Sequence, residues 1–263
     1  LNVPHVLAAD IGAGLLLLSD LGDTQYLDAL NPASADRLYG DALDALARLA
    51  LGGDPASGVL PPYDDALLAR EMNLFRDWFL ERRLGLALDA AEHALLDATF
   101  ARLSAAARAQ PQVWVHRDYH SRNLMLLPEG GLGVIDFQDA VSGLLTYDAV
   151  SLLRDCYVAW PAERVAAWAG HFAARARAAG TLPPEVSVGT FMRWFDWMGL
   201  QRHIKVLGIF ARLWLRDAKR GYLRDLPLVM RYTLEVALAH PETAEFGRWF
   251  ASRVLPVARM QPW

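Results

Sequence analysis

Between His116 and Phe137 the chain reads HRDYHSRN, LMLLPEGGLGV and IDF, and this stretch constrains the fold more than any other. Residues 124–127 and 132–135 are apolar runs separated by Pro128, Glu129, Gly130 and Gly131. A four-residue turn so rich in breakers predicts a tight β-hairpin. Pairing across it sets Leu127 opposite Leu132, Met125 opposite Val134 and Asn123 opposite Asp136. Directly opposed residues of an antiparallel pair stand about 4.5–5.5 Å apart at Cα, close enough for two oxygen-bearing side chains to share one divalent cation. Asp118 lies at the front of the same loop, free to reach a hydroxyl.

The residue types fit one chemistry. Magnesium takes one or two oxygen ligands from protein and completes its shell with phosphates and water. A carboxylate beside such a pair can orient an acceptor hydroxyl and take its proton. Phosphoryl transfer asks for positioning and charge neutralisation and little covalent help. Asn123 and Asp136 are therefore the candidate metal ligands and Asp118 the candidate base. His120 or Arg122 could donate to the transferring phosphate, whose charge must be held through the transition state; ordinary loop hydrogen bonding accounts for them equally well. His116 is expected to brace the loop backbone. Two His and one Asp in HRDYH also compose part of a zinc set. No further His or Cys cluster follows at ligand spacing, and the oxygen donors Asn123 and Asp136 favour magnesium.

The H-x-D-x-x-x-x-N pattern followed by a strand Asp is the protein-kinase arrangement, with Ile135-Asp136-Phe137 standing where kinases carry D-F-G. HRDYHSRN, IDFQDA and Tyr147-Asp148 resemble the aminoglycoside phosphotransferase and choline kinase superfamily more than eukaryotic protein kinases. No A-P-E segment follows, and a helix-like run begins directly after Asp148. Within that superfamily the chain most resembles the bacterial N-acetylmuramate/N-acetylglucosamine anomeric kinases of cell-wall recycling. LLLLSDLG (15–22), LPPYDDALLAREMNLFRDWFL (60–80) and RWFDWMGLQRHIKVLGIFARLWLRD (193–217) carry that likeness, which runs over essentially the whole chain.

The resemblance implies an α+β, protein-kinase-like fold whose large, mostly helical C-terminal lobe holds the catalytic hairpin. It implies ATP and Mg2+ as cofactors and an amino sugar, phosphorylated at its anomeric hydroxyl, as the partner. Ser19, Asp20 and Leu21 would form the hinge whose backbone meets the adenine edge; an ordinary strand-to-helix loop is the alternative. Residues 1–22 are expected to be the remnant of a small N-terminal β lobe and 23–263 the helical lobe. No G-x-G-x-x-G loop or V-A-I-K-type lysine strand precedes the hinge, so the chain alone is expected to turn over ATP poorly. Other small alcohols (aminoglycoside, choline, homoserine) and a silent nucleotide- or sugar-binding module are the rival readings.

Two strands are expected at Val6–Ala9 and Leu15–Leu18. Beyond them the chain turns helical, starting with a helix capped by Asn31-Pro32 and closed by Gly52-Gly53. Leu68, Met72, Phe75 and Phe79 form an apolar stripe along 64–83. Asp89 caps a helix whose Leu96, Phe100, Leu103 and Ala107 face inward, and Val113–Val115 is the strand that delivers the loop. Helical segments follow near 147–158, 162–179, 188–217 and 226–239, with a last one after Pro241.

Sugar hydroxyls need several polar groups converging on an apolar wall. Asp155, Asp196, Arg202 and His203 are the candidates, with Trp194 and Trp197 offering flat faces or filling the core. Asp148 reads as an N-cap or a bracket for the loop, and Asp139 as a solvated residue or a sugar contact. Arg202, His203, Lys205, Arg212, Arg216, Lys219, Arg220 and Arg224 read as a solvated helix face or an anion-binding surface. A net charge of −4 and a pI near 6.0 argue against a dedicated nucleic-acid binder. A single cysteine, Cys156, fits a reducing compartment, and no apolar run approaches the ~20 residues of a membrane span. A cytoplasmic location and no membrane partner are expected.

Overall fold

The computed structural model describes residues 1–262. Along the chain come β1 (Val6–Asp10), β2 (Leu15–Leu18), α1 (Tyr26–Ala29), α2 (Ala35–Ala50), α3 (Asp65–Leu74), a π-helical stretch (Phe75–Arg83) and α4 (Ala90–Arg108). Next are β3 (Gln112–Val115), β4 (Leu124–Leu126), β5 (Leu132–Val134), β6 (Val141–Leu144), α5 (Tyr147–Leu153), α6 (Ala162–Ala178) and α7 (Val188–Asp217). The chain finishes with α8 (Leu226–Ala239), α9 (Ala244–Trp249), a π turn and α10 (Leu255–Arg259). These elements sort into two compact units, residues 1–62 with 112–188, and residues 63–111 with 189 onward.

The first unit contains three two-stranded antiparallel sheets, β1-β2, β3-β6 and β4-β5. Its core is the face of α2 carrying Leu38, Tyr39, Ala42 and Leu43, which packs against α5, α6 and β3. Gly53 lies flat against the Trp114 ring, and a Cβ there would come within 2.0 Å of it. β6 pairs along the whole of β3, a strand that VSGLL does not announce because it carries no alternation. α2 starts at Ala35, later than Asn31-Pro32 suggests, because the Asn31 side chain first accepts from the N–H groups of Ala33 and Ser34 and builds a separate leading turn.

The β4-β5 hairpin forms, but one residue out of the expected register. Leu124 faces Val134, Met125 faces Gly133 and Leu126 faces Leu132. Gly130 N–H donates to Leu127 O at 2.9 Å, and Leu127 N–H donates to Gly131 O at 3.2 Å. The loop is thus three residues long, Pro128 to Gly130. Gly130, at φ 84°, supplies the left-handed residue that a three-residue hairpin loop requires. Asn123 consequently stands opposite Ile135, whose N–H donates to the Asn123 carbonyl at 3.1 Å.

The second unit is helical. α3 begins at Asp64, whose carboxylate accepts the Leu67 N–H, and the stripe Leu68, Met72, Phe75 and Phe79 is fully buried. The helix expected over 64–83 widens to π winding from Phe75. That change begins where Gly208 of α7 approaches most closely: a Cβ there would lie 2.3 Å from the Leu74 backbone. Phe75, Phe79, Phe246 and Phe250 close one aromatic cluster. α4 opens with a capping box between Asp89 and Glu92, worth about 1 kcal/mol, and buries Leu96, Phe100, Leu103 and Ala107. Glu71 is buried with Lys205 Nζ 3.0 Å away, and Tyr63 and Gln201 also donate to its carboxylate. A buried ion is tolerable only with such full pairing.

Candidate active site

Strand β3 delivers the chain to His116, and Asp148 fixes the backbone there. Its buried carboxylate accepts the N–H of His116 at 2.7 Å and that of Arg117 at 3.0 Å. Arg117 sits at φ 74°, a left-handed conformation costly for a long side chain and held here by that second bond. Asp148 is the bracket and not the N-cap of α5; the residue in the cap position is Thr146, and its side chain makes no capping bond. The His116 ring spends both nitrogens on backbone. Nδ1 accepts the Asp118 N–H at 3.3 Å and Nε2 faces Ile135 O at 3.0 Å, so Nε2 carries the proton. It braces the loop as expected, and neither nitrogen is left for a zinc ion. Tyr119 anchors the loop from below, its hydroxyl donating to Ala42 O at 2.8 Å. Complete burial pushes that hydroxyl's pKa well up.

Asp118, Asn123 and Asp136 are brought together. Asn123 Nδ2 donates to the Asp118 carbonyl and to Asp136 Oδ2, both at 3.1 Å. The shifted ladder alone would not allow this. Asp136 adopts φ 67° just past the end of β5, and that left-handed turn sends its side chain back toward Asn123. Its other oxygen accepts from Gln138 Nε2 at 2.8 Å, a partner that nothing in the sequence marks. With the Asn123 amide nitrogen committed to these two acceptors, its oxygen Oδ1 is the atom turned elsewhere. An amide oxygen and a carboxylate make a pair of hard donors suited to magnesium. Among the described residues no group of three or more His, Cys, Asp or Glu is arranged to hold a metal. The Asp118 carboxylate is part-buried and makes no hydrogen bond or ion pair among the described residues.

His120 and Arg122 converge on one ring that no sequence motif singles out. The Arg122 guanidinium lies over Tyr157 at 3.7 Å from its centroid. The His120 ring meets the same tyrosine edge-on at 5.4 Å. Between them Ser121 is buried, its hydroxyl donating to Asp155 Oδ2 at 2.6 Å. Asp155 Oδ1 accepts the N–H groups of Tyr157 and Val158, each at 2.9 Å. Those bonds turn the chain, which is why α5 stops at Leu153 where helix is expected to 158. Burial pushes the Asp155 pKa up, against the pull of the bonds from Ser121, Val158 and Tyr157.

The remaining candidates divide between the two units. Ser19, Asp20 and Leu21 line an open cleft of about 330 Å³, together with Asn2, Val3, Pro128 and others. Ser19 Oγ accepts the His5 N–H at 2.8 Å and Asp20 accepts that of Gly22. Asp196, Arg202 and His203 belong to the second unit. Asp196 pairs with His240 at 2.9 Å, and His203 is buried and stacked on Tyr232 at 5.1 Å. Trp194 and Trp197 are buried. The basic residues of 202–224 do not form one solvated face: His203 and Lys205 are buried, and Arg216 and Arg224 pair with Asp217 and Asp225. α7 is packed on most of its circumference here, with His203, Ile204 and Lys205 buried in succession, so it offers no single wet side.

Residues 1–184 match the model of the phosphotransferase enzyme family. The chain belongs to that family. The matched stretch contains the whole loop from His116 to Asp136 and the Asp155–Tyr157 turn. The chain is 49% identical over 253 residues to an N-acetylmuramate/N-acetylglucosamine kinase of Pseudomonas aeruginosa, covering 95% of itself and 73% of that relative. A Pseudomonas putida protein of the same name is 46% identical over 250 residues, with coverage of 95% and 73%. In fold, this phosphotransferase resembles the GDP complex of aminoglycoside 2'-phosphotransferase-IIIa, with a TM-score of 0.58, 17% identity, and coverage of 89% of this chain and 76% of the other. The architecture is therefore kinase-like and α+β, and the protein is a phosphotransferase. Among the described residues no helix is long and apolar enough to cross a membrane.

Proposed function

We propose that this phosphotransferase moves the γ-phosphoryl group of ATP onto the anomeric hydroxyl of N-acetylmuramate or N-acetylglucosamine. The sugar oxygen forms the new bond to phosphorus as the bond to the ADP oxygen breaks. Asp118 takes the hydroxyl proton; the products are a sugar 1-phosphate and ADP. The observation that carries this reading is Asp118, whose carboxylate makes no hydrogen bond or ion pair among the described residues and whose carbonyl accepts from Asn123 of the Asn123–Asp136 pair, in a chain 49% identical to a kinase of that name.

Asp118 suits the base because no donor among the described residues competes for its carboxylate oxygens, so their acceptor capacity is left for a hydroxyl. Asn123 and Asp136 would hold Mg2+, which supplies charge neutralisation on the nucleotide phosphates when bound. The cleft lined by Ser19, Asp20 and Leu21 is the proposed adenine site. Sugar recognition by Asp196, Arg202 and His203 has less support, because Asp196 and His203 are already engaged within their own unit.

ADP release, followed with ATP, Mg2+ and a panel of acceptors, tests the assignment: both N-acetyl sugars, an aminoglycoside, choline and homoserine. Turnover with the two sugars is expected. Turnover only with a cationic acceptor, or with homoserine, would leave a phosphotransferase with a different substrate.

A further inference from the structure

Tyr157 lies outside every motif that marks this site, yet two side chains that meet its ring, those of Arg122 and His120, belong to the catalytic loop. Its ring carries the Arg122 guanidinium on its face and the His120 ring at its edge. Its backbone N–H is fixed by Asp155, the carboxylate that also holds Ser121. Ser121 is pinned once more through its carbonyl, which accepts the Leu27 N–H at 3.0 Å. One buried carboxylate thus locks two chain segments together, and the lock sets an aromatic face directly under Arg122.

Arg122 is the informative member. Its guanidinium is part-buried and makes no hydrogen bond or ion pair among the described residues; only the Tyr157 ring supports it. A guanidinium resting on an aromatic face keeps its N–H donors in plane and pointing away from the ring. Such a fork, held next to Asn123 and four residues from Asp118, is built to receive anionic oxygens.

We infer that Tyr157 is a positioning residue that presents Arg122 to an anionic oxygen of the reacting pair. This rests on the proposed phosphoryl transfer for its setting. Two sources share that chemistry, the transferring phosphate and the lactyl carboxylate that N-acetylmuramate has and N-acetylglucosamine lacks.

The test is a double-mutant cycle in the enzyme, with kcat and KM measured for both sugars. Arg122→Met and Tyr157→Leu are each expected to lower kcat/KM about 10- to 100-fold, the scale of a misplaced catalytic contact. The double variant is expected to be no worse than Arg122→Met alone, because Tyr157 acts through Arg122. Tyr157→Phe, which keeps the face, should restore most of what Tyr157→Leu loses. Losses in kcat with both sugars assign Arg122 to the phosphate; a raised KM with N-acetylmuramate only assigns it to the carboxylate. Full activity of Arg122→Met with both sugars overturns the inference, even if Tyr157→Leu proves too unstable to assay. Multiplicative losses in the double variant overturn it too. Asp118→Asn is run beside the cycle: retained turnover there would remove Asp118 as base and leave the cycle to decide Tyr157 by itself.

Discussion

Asn123 and Asp136 meet at 3.1 Å although the strand ladder does not pair them. The contact is made by the left-handed backbone of Asp136, and its energetics differ at the two ends. Asp136 contributes a charge, Asn123 only a dipole.

Asp136→Ala is therefore expected to weaken Mg2+-dependent nucleotide binding more than Asn123→Ala does. Magnesium titrations of nucleotide affinity in each variant measure this. Equal, small effects would mean that the pair is not the metal site.

Asp118→Asn keeps the shape of the loop, since among the described residues only backbone atoms of Asp118 are hydrogen-bonded. Turnover should fall roughly 10²- to 10⁴-fold, the usual value of a general base, with nucleotide affinity nearly unchanged. Steady-state kinetics beside nucleotide titration separates the two. A variant within a few-fold of the parent would exclude Asp118 from proton transfer.

Asp148→Ala removes the acceptor of two backbone N–H groups at once. Each buried donor left unsatisfied costs about 1–3 kcal/mol, so a drop in melting temperature of several degrees is expected. Activity should fall with it, because His116 and Arg117 lead directly into Asp118. A melting curve superimposable on the parent's would show that the bracket is dispensable.

Glu92 gives a pH signature. Burial raises its pKa, but bonds from Trp249, the Asp89 N–H and Arg253 outweigh this and hold it below the ordinary 4.5. Because the folded value is the lower one, the unfolded chain binds the proton more readily. The stabilisation is complete above the ordinary value and is lost as pH falls through the folded value. Glu92→Gln should flatten that acid limb of the melting-temperature profile. An unchanged acid limb would show that Glu92 is not linked to folding.

Much of the fold and site is legible in the sequence because local chemistry marks it. Breakers at 128–131, the cap at Asp89 and the spacing of Asp118, Asn123 and Asp136 are local signals, and each points to the right element. The register slips because Gly130 and Gly131 are equally able to turn, and only pairing energy chooses between a three- and a four-residue loop. β6 is hidden since its partner β3 lies 26 residues earlier by register, Val115 to Val141. Tyr157 leaves no trace because its role depends on a turn made by Asp155, which reads as a sugar contact. Residues that act through tertiary contact carry no periodicity.

A phosphate on the anomeric oxygen distinguishes the proposed reaction from every other transfer to these sugars. Proton–phosphorus coupling in the product formed from ATP, Mg2+ and N-acetylmuramate or N-acetylglucosamine locates it directly. A phosphorus resonance split by the anomeric proton is expected. Coupling to the C6 protons instead would contradict the assignment.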